Sequence, residues 1–134
     1  MLPFKINHIA ISVKQVDLSF EFYNKVFQFQ EIKNTASNSK TRWLSIGDGK
    51  QLHLIPRPQA EIKTNKAVHF ALSTADIASF ILFLNKLKIP YTDWKDTPSK
   101  DYIRQDGIKQ VYIQDPDGYW IEINDDGRRL SRWS

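Results

Sequence analysis

The 134-residue chain contains no cysteine. That absence removes disulfides, thiolate metal sites and cysteine nucleophiles together, and it is compatible with a reducing cytoplasm. Glycine is scarce, with five residues, and these form neither GxGxxG nor GxxxxGK[ST], which excludes the usual phosphate-cradling loops. A GxSxG serine elbow is also missing. No apolar run approaches the roughly 18 residues that a membrane span requires. The start, MLPFKINH, breaks its apolar residues with Lys5, Asn7 and His8 and reads as neither signal peptide nor anchor. A cytoplasmic protein without membrane contact is the expectation.

What is present has the proportions of an ordinary globular domain, 41% hydrophobic and 25% charged. The formal net charge of +4 comes from scattered residues, the densest cluster being Arg128, Arg129 and Arg132 beside Trp133 in the tail. Without a recognition motif, a basic tail of this kind is expected as a solvated end or an oligomer contact, and no nucleic-acid partner is expected.

The chain repeats itself. The stretch NHIAISVKQVDLSFEFYNKVF from Asn7 lies on VHFALSTADIASFILFLNKLK from Val68, setting His8 on His69, Ala10 on Ala71, Ser12 on Ser73 and Asn24 on Asn85. Both copies alternate like a strand and then switch to helical spacing. The helical stripes are Leu18, Phe22 and Val26 flanked by Phe20, Tyr23 and Phe27 after Asp17 as N-cap, and Ile77, Phe80, Ile81, Leu84 and Leu87 before Pro90. The ends match too: WLSIGDGKQLHLI (43–55) lies on YIQDPDGYWIEI (112–123) with Gly49 on Gly118, each reading as strand, Asp-Gly turn, strand. This register sets His53 on Glu122 and leaves eight extra residues in the second half, expected in a loop at 92–107. Each half therefore reads as strand, helix and three strands, the first of those three being weak, at 28–34 and 91–95.

Alternation decides which side chains share a face. Leu52 and Leu54, and likewise Ile121 and Ile123, are expected to pack on the helices. That sends His53 and Glu122 to the opposite face, and the same pattern sends His8 and His69 off the helix side of their strands. All three histidines of the chain thus fall on repeat-equivalent positions, one of them matched to a glutamate. We expect His8, His53, His69 and Glu122 to converge on one divalent ion, for which imidazole and carboxylate are suited ligands: Zn, Ni, Co, Fe or Mn.

The segments HIAISVKQVDLSFEFYNKVF, HFALSTAD and DPDGYWIEI resemble those of the vicinal oxygen chelate superfamily, which includes glyoxalase I, methylmalonyl-CoA epimerase, extradiol dioxygenases, fosfomycin-resistance enzymes and bleomycin-binding proteins. The resemblance covers about residues 4–124. It implies an α+β fold of two βαβββ modules, about 4–57 and 65–124. These would be related by a pseudo-twofold and form a curved mixed sheet, a cup with helices outside, as a single domain over 1–134. It also implies a homodimer, and it puts the metal ligands on His8, His53, His69 and Glu122. Four ligands on an octahedral ion leave two open positions, which suits a substrate chelating through neighbouring oxygens. The expected activity is therefore metal-dependent lyase or isomerase chemistry on a small carbonyl compound, with Glu122 as general base. This chain departs from the glyoxalase I pattern at His53, where that enzyme usually has a carboxylate. Ring-cleaving extradiol dioxygenase activity and non-catalytic small-molecule binding are the alternatives.

Further pocket residues follow from shared faces: Gln51 with His53, Trp120 with Glu122, and Trp43 matched to Tyr112, with Gln110 on the same face. The polar insertion KDTPSKDYIRQDG (95–107) is expected near the mouth. Arg104 is the first candidate to meet an anionic substrate group and Arg42 the second.

Overall fold

The computed structural model describes residues 2–127; the basic tail with Arg128, Arg129, Arg132 and Trp133 lies outside them. The chain divides into two compact units with the boundary between Ile62 and Lys63. The first holds β1 (His8–Val13), α1 (Val16–Phe27), β2 (Gln30–Ile32), β3 (Arg42–Gly47) and β4 (Lys50–Pro56). The second holds β5 (His69–Ser73), α2 (Ile77–Leu87), β6 (Tyr102–Ile103), β7 (Lys109–Gln114) and β8 (Trp120–Asn124). Each unit is thus a βαβββ module with its own four-stranded mixed sheet, ordered β1-β4-β3-β2 and β5-β8-β7-β6. Among the described residues, no helix is long and apolar enough to cross a membrane.

The two registers are equivalent. In the parallel pairs, His8 faces Gln51 and Ala10 faces His53, while His69 faces Trp120 and Ala71 faces Glu122. In the antiparallel pairs, Trp43 lies opposite His53 and Tyr112 opposite Glu122. The alignment set by His8 on His69 and Gly49 on Gly118 is therefore also a structural one. The β3–β4 connection is a two-residue turn in which Asp48 and Gly49 both have positive φ, 54° and 74°. This is the backbone twist that an Asp-Gly pair supplies. The second hairpin needs a longer loop, and the buried Asp115 organises it: its Oδ1 accepts from the amides of Asp117 and Tyr119, each at 2.9 Å.

The apolar faces bury as the alternation requires. Leu52, Leu54, Ile121 and Ile123 are all at most 2% exposed. The helix stripes are narrower than expected. In α1 the buried residues are Ser19, Tyr23 and Val26, while Leu18 is exposed; in α2 they are Ile77 and Leu84.

Three local expectations are corrected. Asp17 is not the N-cap of α1: Gln15 holds that position without a side-chain cap bond, and the Asp17 carboxylate lies within the first turn, accepting from Arg42 Nη1 at 3.0 Å. Asp76, by contrast, caps α2 through the amide and hydroxyl of Ser79. The expected strand at 91–95 is reduced to one bridging residue, Thr92, which exchanges both backbone bonds with Tyr112 and also bridges to Pro98. The strand pairing with β7 comes instead from β6, inside the segment read as loop. A Pro at 98 and a turn closed by Asp93 interrupt the chain between the two pairings.

The fold makes a paired prediction on one helix. Leu84→Ala, at 0% exposure, should cost about 2–5 kcal/mol of unfolding free energy. Leu82→Ala, at 70% exposure, should stay within about 0.5 kcal/mol. Urea denaturation of both variants checks the facing of α2, and equal losses would contradict it.

Candidate metal and substrate site

Each unit brings one expected pair together. In the first, the His53 ring lies between two others: His8 at 4.0 Å between centroids and Trp43 at 4.2 Å, inclined by 14° and 3°. Cross-strand pairing fixes the Trp43 contact, since that residue lies directly opposite His53. His53 is buried, and its Nε2 lies 2.7 Å from Gln51 Oε1, to which it donates. Burial, and then the charge of His8, hold the His53 imidazole below its ordinary value of 6.5, so the ring is neutral at pH 7. His8 is exposed and donates from Nδ1 to Asn7 Oδ1 at 2.8 Å.

The second unit gathers a denser set. Glu122 is 8% exposed, and both its oxygens are engaged: Tyr112 donates its hydroxyl to Oε1 and Asn124 its amide to Oε2, each at 2.8 Å. Gln110 in turn donates to the Tyr112 oxygen at 3.3 Å. Burial first, and the bond to Glu122 second, push the Tyr112 hydroxyl well above the usual phenol range, so it stays a neutral donor. His69 Nδ1 lies 2.9 Å from the Lys66 carbonyl, which can only accept. Nδ1 therefore carries a proton, and Nε2 faces Glu122 Oε1 at 3.5 Å. A positive charge at this end of the ring, a proton on Nε2 or a cation beside it, would pair with the carboxylate. Among the described residues, no three His, Asp or Glu side chains gather as a group that could hold a metal ion.

Lys66 was not legible as a site residue. Its Nζ donates to Thr92 Oγ1 at 3.1 Å, to the Asp93 carbonyl at 2.7 Å and to Asp96 Oδ1 at 2.7 Å. It also lies 4.5 Å from the Trp120 ring centroid and 5.0 Å from that of Tyr112. One residue thus ties the 92–96 segment down with its ammonium and sets the His69 tautomer with its carbonyl. Asn124 was also missed, although it is two residues beyond Glu122 and so on the same face.

A cavity of about 560 Å³ opens within the second unit, walled by His69, Trp94, Tyr102, Tyr112 and Gln110, with Lys95 and Lys100 along it. Gln110 and Tyr112 are where alternation puts them. Trp120 faces Lys66, and Gln51 and Trp43 attend His53 in the first unit. Arg42 forms a two-pronged pair with Glu31 at 2.8 and 2.9 Å and reaches Asp17. Arg104 pairs with Asp106 at 2.5 Å, and its charge also reaches Glu122 and Tyr112.

A family model described as Glyoxalase/Bleomycin resistance protein/Dioxygenase superfamily matches residues 5–123. Glyoxylase I 4 of Arabidopsis thaliana is 28% identical over 127 residues, covering 88% of this chain and 68% of the relative. Metallothiol transferase FosB of Staphylococcus epidermidis is 23% identical, covering 89% and 81%. Among solved structures, lactoylglutathione lyase from Agrobacterium tumefaciens superposes with a TM-score of 0.70 at 19% identity, over 92% of this chain and 95% of that one, a likeness of fold.

Replacing Lys66 by Met keeps the stem against the rings and removes three hydrogen bonds. It should destabilise the protein by about 1–3 kcal/mol and make tryptophan fluorescence more accessible to acrylamide as Trp94 loosens. Unchanged melting and quenching would mean that the clamp does not hold the segment.

Proposed function

Since the chain belongs to the Glyoxalase/Bleomycin resistance protein/Dioxygenase superfamily, we propose that it is a metal-dependent enzyme of glyoxalase type carrying out lyase or isomerase chemistry on a small carbonyl compound. The observation that carries this reading is the placing of His69 against Glu122. A backbone carbonyl holds the imidazole Nδ1 while Nε2 is turned toward a buried carboxylate at 3.5 Å, an orientation suited to a metal-ligating histidine. His69 and Glu122 are the proposed ligands in the second unit. The sequence repeat assigns His8 and His53 as the ligands of the first. The proposed resident ion is divalent, one of Zn, Ni, Co, Fe or Mn.

A bound divalent ion supplies Lewis acidity, which favours loss of a proton beside a carbonyl. The chain's own residues do the rest. Glu122 is the proposed general base, because Tyr112 holds its proton too firmly to compete. Tyr112 and Asn124 aim the carboxylate from opposite oxygens, so its position does not depend on solvent. Trp94 and Tyr112 wall the cavity beside His69.

One observation favours a second reading. His53 has its Nε2 on Gln51 and both ring faces covered, so a set of two histidines and one glutamate is the alternative ligand group. That set leaves three open positions, the requirement of a ring-cleaving dioxygenase on Fe(II). In that case His53 would serve as acid or base.

Metal content separates these ideas from a non-catalytic binder. Wild-type protein should hold close to one divalent ion per chain by elemental analysis, and His69→Ala and Glu122→Ala should each lose most of it. Tyr112→Phe should weaken affinity about 10- to 100-fold through the supporting hydrogen bond alone. Undiminished metal in both ligand variants would overturn the assignment. Rapid oxygen uptake by the Fe(II) form on a panel of catechols would replace the first reading by the second.

A further inference from the structure

The insertion over 95–107 carries three acids and three basic residues, which on counting alone leaves no net charge. The pairing is uneven. Asp96 is taken by Lys66, Asp101 by Lys109 at 3.4 Å and Asp106 by Arg104. Every acid of the insertion is thereby neutralised, two of them by lysines from outside it. Lys95 and Lys100 are left as cations with no side-chain hydrogen bond or salt bridge among the described residues, and both line the cavity. One further acid, Asp93, lines it as well; its Oδ1 accepts the Thr97 amide at 2.8 Å, and its carboxylate also lies in the field of Lys100, without a salt bridge to it, so Lys95 is the less opposed of the two cations.

The same stretch of cavity presents uncovered aromatic surface. Trp94 and Tyr102 are each 47% exposed. Trp94 stands against Tyr112, centroids 5.6 Å apart and tilted by 58°, and both reach toward His69. Large rings left half open on a polar insertion, beside unpaired ammonium groups, are a surface that an apolar anion would complete. The first unit has no counterpart: its equivalent segment is shorter by eight residues and lacks both tryptophan and tyrosine between Gln30 and Arg42.

We infer that this cavity takes a small molecule with a planar aromatic body and an anionic group, the rings of Trp94 and Tyr102 packing the body and Lys95 and Lys100 receiving the anion. A cavity of about 560 Å³ has room for one such molecule. The inference deepens the proposed function and rests on it in one respect: His69 and Tyr112 mark the reacting end, so the anion lies at the far end, on the insertion. Specificity is then set by the eight residues that distinguish the two halves.

The test uses full-length protein and three probes: 2-naphthoate, its neutral counterpart 2-naphthamide, and acetate. Binding is followed by calorimetry, in chelator-treated and in Co(II)-loaded protein. Wild type should bind 2-naphthoate about tenfold or more tighter than either other probe. Lys95→Gln/Lys100→Gln should remove the preference over 2-naphthamide, and Lys95→Arg/Lys100→Arg should keep it. Trp94→Leu should weaken both naphthyl probes alike. Equal binding of naphthoate and naphthamide to wild type, no binding of either, or a preference indifferent to the two lysines would each overturn the inference. Failure of the metal assignment is read separately. Lysine-dependent naphthoate binding by a wild-type protein that neither holds a divalent ion as purified nor takes up Co(II) would remove the proposed function and leave this site standing. Normal metal content with lysine-independent binding would do the reverse.

Discussion

The structure depends on one constraint, the twofold alternation of β4 and β8. Each strand has its isoleucines or leucines taken by the helix side of its sheet, where they are at most 2% exposed. The residue between them must then face the other way. In β4 that residue is His53 and in β8 it is Glu122, each 8% exposed. A shift of register by one residue would exchange the apolar and polar faces, so the apolar core on one side fixes the polar group on the other. Fold stability and site geometry are set by the same hydrogen-bond ladder.

Burying a carboxylate carries a penalty that hydrogen bonds must offset. Around Glu122 the offset is built in layers: Tyr112 on one oxygen, Asn124 on the other, and Gln110 behind Tyr112. No described buried side-chain polar atom is left without a partner. His69 adds to this from the more exposed side: the Lys66 carbonyl accepts from its Nδ1, which turns Nε2 toward Glu122 Oε1 at 3.5 Å. The carboxylate is thus held from three directions, and the imidazole is the partner nearest solvent.

Much of this was legible in the sequence because the repeat carries two kinds of information at once. Matching His8 with His69 and Gly49 with Gly118 fixed the strand partners, and the pairings His8–Gln51 and His69–Trp120 follow that register residue for residue. The βαβββ order and the buried faces of β4 and β8 came from periodicity alone. What periodicity could not reach were contacts between segments lacking it. Lys66 precedes β5 in a turn and acts through Thr92, Asp93 and Asp96, some 26 to 30 residues away. Arg42 looked available because its partners Glu31 and Asp17 are 11 and 25 residues distant. Asp17 was read as a cap because caps and first-turn acids share a composition and differ only in geometry. The insertion was read as loop because two residues of β6 are too few to show an alternation.

The two units also show how one framework diverges. Trp43 and Tyr112 occupy the same position opposite His53 and Glu122. In the first unit the aromatic stacks face-on, and the imidazole beneath it is held by ring contacts and Gln51. In the second the aromatic acts through its hydroxyl, because a carboxylate has no face to stack on and must be hydrogen-bonded. The change of one residue from imidazole to carboxylate therefore demanded a change in its neighbour from indole to phenol, with Gln110 and Asn124 to complete the donors. The consequence is functional asymmetry. The first unit buries a neutral ring, while the second buries a carboxylate beside an imidazole, and its insertion carries two lysines that form no salt bridge among the described residues. Chemistry and specificity both concentrate in the half of the chain where the repeat is least faithful.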